Sequence, residues 1–482
     1  MATSGAAEIR EQLGHPVVDC DGHWQESLPV FLDYLRDTAG TSLADQFAAA
    51  RRAGGWSDLT PEQRMHQRLR RPDVQWPVPA ETEDLATAML PGLMAERLGE
   101  LGIDFAIVYP TLGLGLSGLP DAEMRAQACR AYNRMAAEVF EPHRQRLTPA
   151  AVIPLTTPQE ALAELDYAVR TLHLKVMMVR GATQRPVPAH AQGAAGAPYY
   201  MDSLGLDSPY DYDPLWRRCV ELGVAITSHG GSRTWADRAS VNNFTYNHIG
   251  HFAQANHVFA KGIFLGGVTR RFPLLNFIFL EGGAGYAVNL LHDLIGHWEK
   301  LNVASVRAFR SPHLTDRARL RELIERHGSP MMRARRDEMI ASLPQPEAIV
   351  LDDFQYLGDT TPVEMADLFS RRFYFGCEAD DPVTAWAFDA RMGARVKAVF
   401  SSDISHWDVQ SMAEVLPEAF EMVEKGWLSE SDFRDFTFAH AVHLHGEMNP
   451  RFFDGTTVER AARAELGPAT SAQGGLSGHS SA

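Results

Sequence analysis

Cysteine is scarce in this chain. Four residues (Cys20, Cys129, Cys219, Cys377) are scattered over 482, with no CxxC pair and no regular spacing. That excludes a disulfide framework and reads as reduced thiols of a cytoplasmic protein. Positive charge is also short: 45 Lys and Arg stand against 61 Asp and Glu, a formal net charge of -16. Non-specific nucleic-acid binding needs a basic surface and is excluded, although the charge does not identify a substrate. No apolar run approaches the length of a membrane span. The opening residues, MATSGAAEIREQLGHP, lack the basic-then-apolar pattern of a signal peptide. The expected protein is cytoplasmic, without membrane or nucleic-acid partners.

What is present is a rhythm. Hydrophobic residues make up 45% of the chain, and short apolar runs alternate with amphipathic stretches. Strand-like runs lie near Val17-Val18, Ile103–Pro110, Leu147–Pro154, Leu174–Val179, Val224–Ser228, Phe277–Leu280, Phe373–Phe375 and Val396–Phe400. Helical spacing covers Asp121–Phe140, Pro158–Leu172, Pro214–Leu222 and Phe252–Phe264. Strands alternating with helices predict an α/β fold, a (β/α)8 TIM-type barrel. The expected organisation is an N-terminal extension over 1–15, the barrel over 16–455 and a tail over 456–482. Insertions are expected near 37–98, 181–213 and 302–361, and the Gly/Ser/Ala-rich end from Gly467 reads as disordered.

In such barrels reactive groups gather at the C-terminal ends of strands. There the sequence places Asp21, His23, Arg180, His229, Glu281, Glu378 and Asp403. Residues i and i+2 of a strand share a face, so Asp21 and His23 can reach one ion. A barrel sets strands one and eight side by side and strand five across the mouth, which adds His229 and Asp403. Carboxylate and imidazole donors suit one divalent metal: zinc, iron or manganese. Asp403 is also the expected proton-transfer carboxylate. Glu281 and His251 are further catalytic candidates. Arg180, His248 and His406 are substrate-binding candidates, Arg180 by way of a substrate carboxylate.

The segments VVDCDGHWQE (17–26), YDPLWRRCVELGVAITSHGG (212–231), GGVTRRFPLLNFIFLEGGAGY (266–286) and FSSDISHW (400–407) carry a resemblance. The chain resembles the amidohydrolase superfamily, in its amidohydrolase-2 branch with the aminocarboxymuconate-semialdehyde decarboxylase-like enzymes. The resemblance implies a metal-dependent barrel enzyme, with His229 and Asp403 at the family's fifth- and eighth-strand ligand positions. The family's first-strand motif is often His-x-His or Glu-x-His; here it is Asp21-Gly22-His23. Binuclear members end strand four in a carboxylated lysine; here Arg180 stands there and Lys175 begins the strand, which implies one metal. Decarboxylase-like members often end strand six in His; here it is Glu281. The expected reaction is therefore hydrolysis of an amide, ester or thioester by metal-activated water. Non-oxidative decarboxylation of an aromatic or unsaturated acid is the alternative, and a non-catalytic scaffold a third.

Other features read more plainly. His440, His443 and His445 are expected on a structural helix face, as are His292 and His297 near Trp298. The run Arg68-Leu69-Arg70-Arg71 is expected to be solvated, with coenzyme A phosphates as a minor alternative. Tyr199, Tyr200, Tyr210 and Tyr212 hint at a bulky small-molecule substrate. A homodimer is the default assembly.

Overall fold

The computed structural model describes residues 5–52, 55–187, 199–233, 235, 238–310, 312–344 and 351–467. Residues 1–288 with 368–482 form one compact unit, and 289–367 form a second. The first unit holds a sheet of eight parallel strands in chain order. They are β1 (Val18–Trp24), β2 (Phe105–Pro110), β3 (Leu147–Val152), β4 (Val176–Val179), β5 (Ile226–Ser228), β6 (Phe277–Phe279), β7 (Phe373–Cys377) and β8 (Lys397–Phe400). These are the eight runs expected from the sequence. Nearly every strand residue is buried, as strands covered on both faces require.

The curved sheet closes into a barrel where β8 meets β1. Asp403 N donates to Asp21 O and His23 N donates to Ile404 O, each at 2.9 Å. The Asp19 carboxylate ties the same seam. It accepts from Ser402 N at 2.9 Å, Ser402 Oγ at 2.6 Å and Asp21 N at 3.1 Å. β1 carries a bulge against β2, its register slipping between Asp19 and Gly22. Such bulges re-aim side chains, and here the slip falls within the Asp21-Gly22-His23 motif. Across the interior, Tyr109 Oη donates to Thr227 Oγ1 at 3.2 Å.

Helices cover the outside. Ala122–Phe140 starts at Asp121, whose carboxylate accepts from Met124 N, a standard N-cap. His251–Leu265 follows β5, and its Phe259 packs on Phe277 and Phe279 of β6. Phe373 and Phe375 of β7 continue that aromatic layer. Each buried ring contributes about 1.5–3 kcal/mol.

The flanking segments carry structure of their own. The N-terminal extension forms a helix, Gly5–Gln12, held by an Arg10–Asp104 ion pair. In the 456–482 tail, Glu459–Leu466 is helical with Ala462 buried; residues from 468 on, including most of the stretch expected to be disordered, lie outside the described residues. The 37–98 segment is largely helical, and Arg64 stacks on Trp56 at 3.7 Å. Within 181–213, Thr183–Pro186 pairs antiparallel with Tyr199–Asp202, and 188–198 lies outside the described residues. The second unit, which includes most of the charged 302–361 segment, has short helices tied by surface ion pairs such as Arg321–Asp337 at 3.1 Å.

The C-terminal histidines are structural, as expected. His440 Nδ1 donates to Ala398 O of β8 at 2.7 Å. His445 is buried and stacks on Phe452 at 4.4 Å. Burial lowers their pKa values to about 4 and about 3, respectively. Unfolding returns both rings to an ordinary value near 6.5, so the unfolded chain takes up more protons. Their stabilisation is therefore full above about pH 6.5 and lost as pH falls towards the folded values.

Two outcomes follow. Asp19→Ala leaves the Ser402 and Asp21 N–H groups without their acceptor and lowers stability by about 2–4 kcal/mol, read from the urea midpoint. Lowering the pH from 7 to 5 reduces unfolding free energy by roughly 2 kcal/mol per buried histidine. His445→Leu makes the same urea series shallower, and an unchanged slope would contradict this assignment.

Candidate metal centre

The seam residues place the site. Along β1 the chain runs Asp19, Asp21, His23, with Asp19 committed to the backbone of β8 and the next two free to face the mouth. Both Asp21 oxygens are buried without a hydrogen-bond partner. His229 lies one residue past β5, its N donating to Val179 O at 2.8 Å. Glu281 lies two residues past β6 and Asp403 three past β8. Both take left-handed backbone conformations, at φ 52° and 51°. Non-glycine residues adopt this region at a cost. Here it accompanies two carboxylates turned inward.

The side chains converge. His23 Nε2 and His229 Nε2 are 3.1 Å apart. Glu281 Oε1 is 3.2 Å from each of them. Asp21 Oδ1 is 3.5 Å from both imidazoles, and Asp403 Oδ1 is 3.4 Å from His23 Nε2. Donor atoms of Asp21, His23, His229 and Glu281 all lie within 4.8 Å of one another. A common ion about 2.0–2.2 Å from each donor imposes donor–donor spacings of roughly 3.0–3.5 Å, which is what the side chains show.

The electrostatics point the same way. Burial opposes a charge on His23, yet Asp21 and Glu281 lift its pKa to about 10. Burial and the surrounding carboxylates push Asp403 well above the usual range. At Glu378, burial and Glu281 raise the value to about 8. Orphaned buried oxygens, facing imidazoles and crowded carboxylates all fit a divalent cation. The oxygen-rich donor set suits manganese and iron as well as zinc.

The remaining expected residues fall into three positions. His406 is in the cluster: Nδ1 is 2.6 Å from Asp403 Oδ1, and the ring stacks on His23 at 3.7 Å. His248 and His251 form a wall beside it, 4.9 Å apart, with Trp407 packed on His248 at 5.6 Å. Burial, with Arg233 and His248, lowers His251 to about 2, so its ring is neutral, and neither ring nitrogen has a partner. Arg180 is elsewhere. It lines a cavity to which no residue of the metal cluster contributes.

Glu281, a catalytic candidate by sequence, has its carboxylate among the donor atoms. Trp407, Phe252, Arg233 and Asp408 went unremarked. Phe252 packs on His229 at 5.4 Å, and burial together with Glu281 raises the Asp408 carboxyl to about 6. The SHWD spacing after Asp403 was the only available signal for Asp408 and Trp407.

Purified protein is expected to carry about one divalent ion per chain by elemental analysis. Asp21→Ala and His229→Ala each lower that content severalfold or more. Removal of the ion with a chelator lowers the melting temperature, because the ion binds only the folded site.

The amidohydrolase family model (Amidohydro_2) matches residues 90–332, just over half of the 482-residue chain. Decarboxylase orsB of Emericella nidulans is 31% identical over 190 residues, 36% of this chain and 50% of that protein. The chain thus spans about half the length of this curated relative. An amidohydrolase from Mycobacterium avium subsp. paratuberculosis shares the fold, with TM-score 0.54 and 19% identity over 90% of this chain and 100% of that one. A dihydroxybenzoic acid decarboxylase from Polaromonas sp. JS666, solved with manganese and 2-nitroresorcinol, gives TM-score 0.48 and 16% identity over 89% and 97%. By the family match over half its length, joined to the eight-stranded barrel, the chain belongs to the amidohydrolase-2 family of enzymes.

Proposed function

We propose that this enzyme is a metal-dependent, non-oxidative decarboxylase of an aromatic or unsaturated carboxylic acid. The observation that carries the reading is the wall beside the cation cluster: flat, neutral rings of His248, His251, Phe252 and Trp407 against a set of buried carboxylates. Flat neutral rings beside a cation site suit a planar acid whose carboxylate turns towards the cation. The similarity to a decarboxylase supports the reaction type. Hydrolysis, the first expectation, rested on Glu281 replacing a histidine at the end of strand six. Glu281 stands within the donor cluster, and the nearby imidazoles of His251 and His406 remain for proton handling.

When bound, a divalent ion would be held by Asp21, His23, His229, Glu281 and Asp403, and would supply Lewis-acid chelation of the substrate's carboxylate. Asp403 delivers a proton to the carbon bearing that carboxylate. The C–C bond then breaks, its electron pair stays with the substrate skeleton, and carbon dioxide leaves. His406, at 2.6 Å, orients Asp403. The unpartnered nitrogens of neutral His251 suit a substrate hydroxyl. The substrate is a small acid rather than a coenzyme A thioester. In the basic run, Arg68 donates to Ala239 O and Arg71 to Asp73 O, each at 3.1 Å.

The test is a panel of hydroxybenzoic and unsaturated acids, with matched esters, amides and thioesters, offered to the manganese-loaded enzyme in D2O. The expected result is release of carbon dioxide and one deuterium at the vacated carbon. Asp403→Asn, checked for retained metal, slows this by about 10² or more. Cleavage of an ester, amide or thioester without carbon dioxide release would overturn the reading.

A further inference from the structure

Arg180 follows β4, next to the strand that carries His229, yet it serves neither the metal cluster nor an ion pair. Among the described residues no carboxylate pairs with its guanidinium. Burial lowers its pKa. It lines a cavity of about 280 Å³ together with Ser117, Gly118, Thr156, Gln184 and Trp235. The neighbouring Arg125 is already bound to Glu160, at 2.7 Å. Arg180 is therefore the cation left available there.

Two further details shape the cavity for a ligand. Ser117 is 5% exposed, and its Oγ has no hydrogen-bond partner. Gly118 makes room for the guanidinium: a Cβ at that position would stand 1.5 Å from Arg180 Nη1. A half-buried guanidinium and an orphaned hydroxyl line one cavity with no hydrogen-bond acceptor among the described residues. The planar, forked guanidinium matches a carboxylate in two parallel hydrogen bonds. Taking about 30 Å³ per water-sized unit, the cavity has room for roughly ten non-hydrogen atoms.

We propose that the Arg180 cavity is a carboxylate-binding site distinct from the metal cluster. Arg180 is the anchor, Ser117 Oγ a supporting donor, and Trp235 and Ala255 the apolar wall against which a small organic acid lies. The inference does not rest on the decarboxylase reading, since no metal-cluster residue lines the cavity. The acid is either the far end of a substrate or a separate small molecule, and the chemistry of recognition is the same for both.

The probe is 4-fluorobenzoate, followed by fluorine NMR on the zinc-loaded full-length protein, with 4-fluorobenzyl alcohol as its neutral counterpart. Saturable binding of the acid is expected. Arg180→Met, checked for unchanged metal content and melting temperature, weakens it about tenfold or more. Gly118→Ala weakens it while keeping the charge, by displacing the guanidinium. The alcohol binds weakly and equally to all three proteins. His229→Ala, which disrupts the metal cluster, leaves the Arg180-dependent binding in place. With manganese in the site, strong broadening of the fluorine signal that Arg180→Met removes marks a substrate's far end, and Arg180-dependent binding without broadening marks a separate ligand; both results uphold a carboxylate site. Equal affinity in wild type and Arg180→Met, or loss of all acid binding in His229→Ala, would overturn the proposal.

Discussion

A barrel of eight parallel strands exists only if its last strand pairs with its first, and here that closure runs through buried carboxylates. Asp19 holds the Ser402 backbone and hydroxyl, while the peptides of Asp21 and Asp403 bond directly. The residues that join the seam alternate with, or are themselves, the residues that face the cation site. Closure and site are thus one piece of structure. A change that loosens the seam moves Asp21 relative to Asp403, and donor spacings of 3.4–3.5 Å tolerate little movement.

The same arrangement explains an otherwise unfavourable concentration of charge. Asp21, Glu281 and Asp403 are all buried, with Glu378 and Asp408 near them. Placing this many carboxylates in a low-dielectric interior is costly unless a cation compensates. Two of them also sit in left-handed backbone conformations. A divalent cation would offset that charge.

Much of the fold was legible because strands buried on both faces read as plain apolar runs. All eight lay where those runs were, and the helix starting after Asp121 announced its own cap. The first-strand pair, His229 and Asp403 were legible because each ends or follows such a run. Glu281 was visible as a candidate but not as a donor. Its role depends on a backbone φ of 52° and on two imidazoles that arrive from other strands. Asp19 was invisible for the same kind of reason: its partner, Ser402, stands at the other end of the chain. Arg180 was legible at the end of its strand, but not the room its guanidinium takes, where a Cβ at Gly118 would overlap it. The choice between hydrolysis and decarboxylation hung on reading Glu281 as a substitution, whereas its carboxylate stands among the candidate donor atoms.

The donor atoms come from both extremes of the barrel, His23 and Asp21 from the first strand and Asp403 from beyond the last. During synthesis the first two leave the ribosome hundreds of residues before the third. A nascent chain cannot bring Asp403 beside Asp21 and His23 until the eighth strand has emerged and docked against the first.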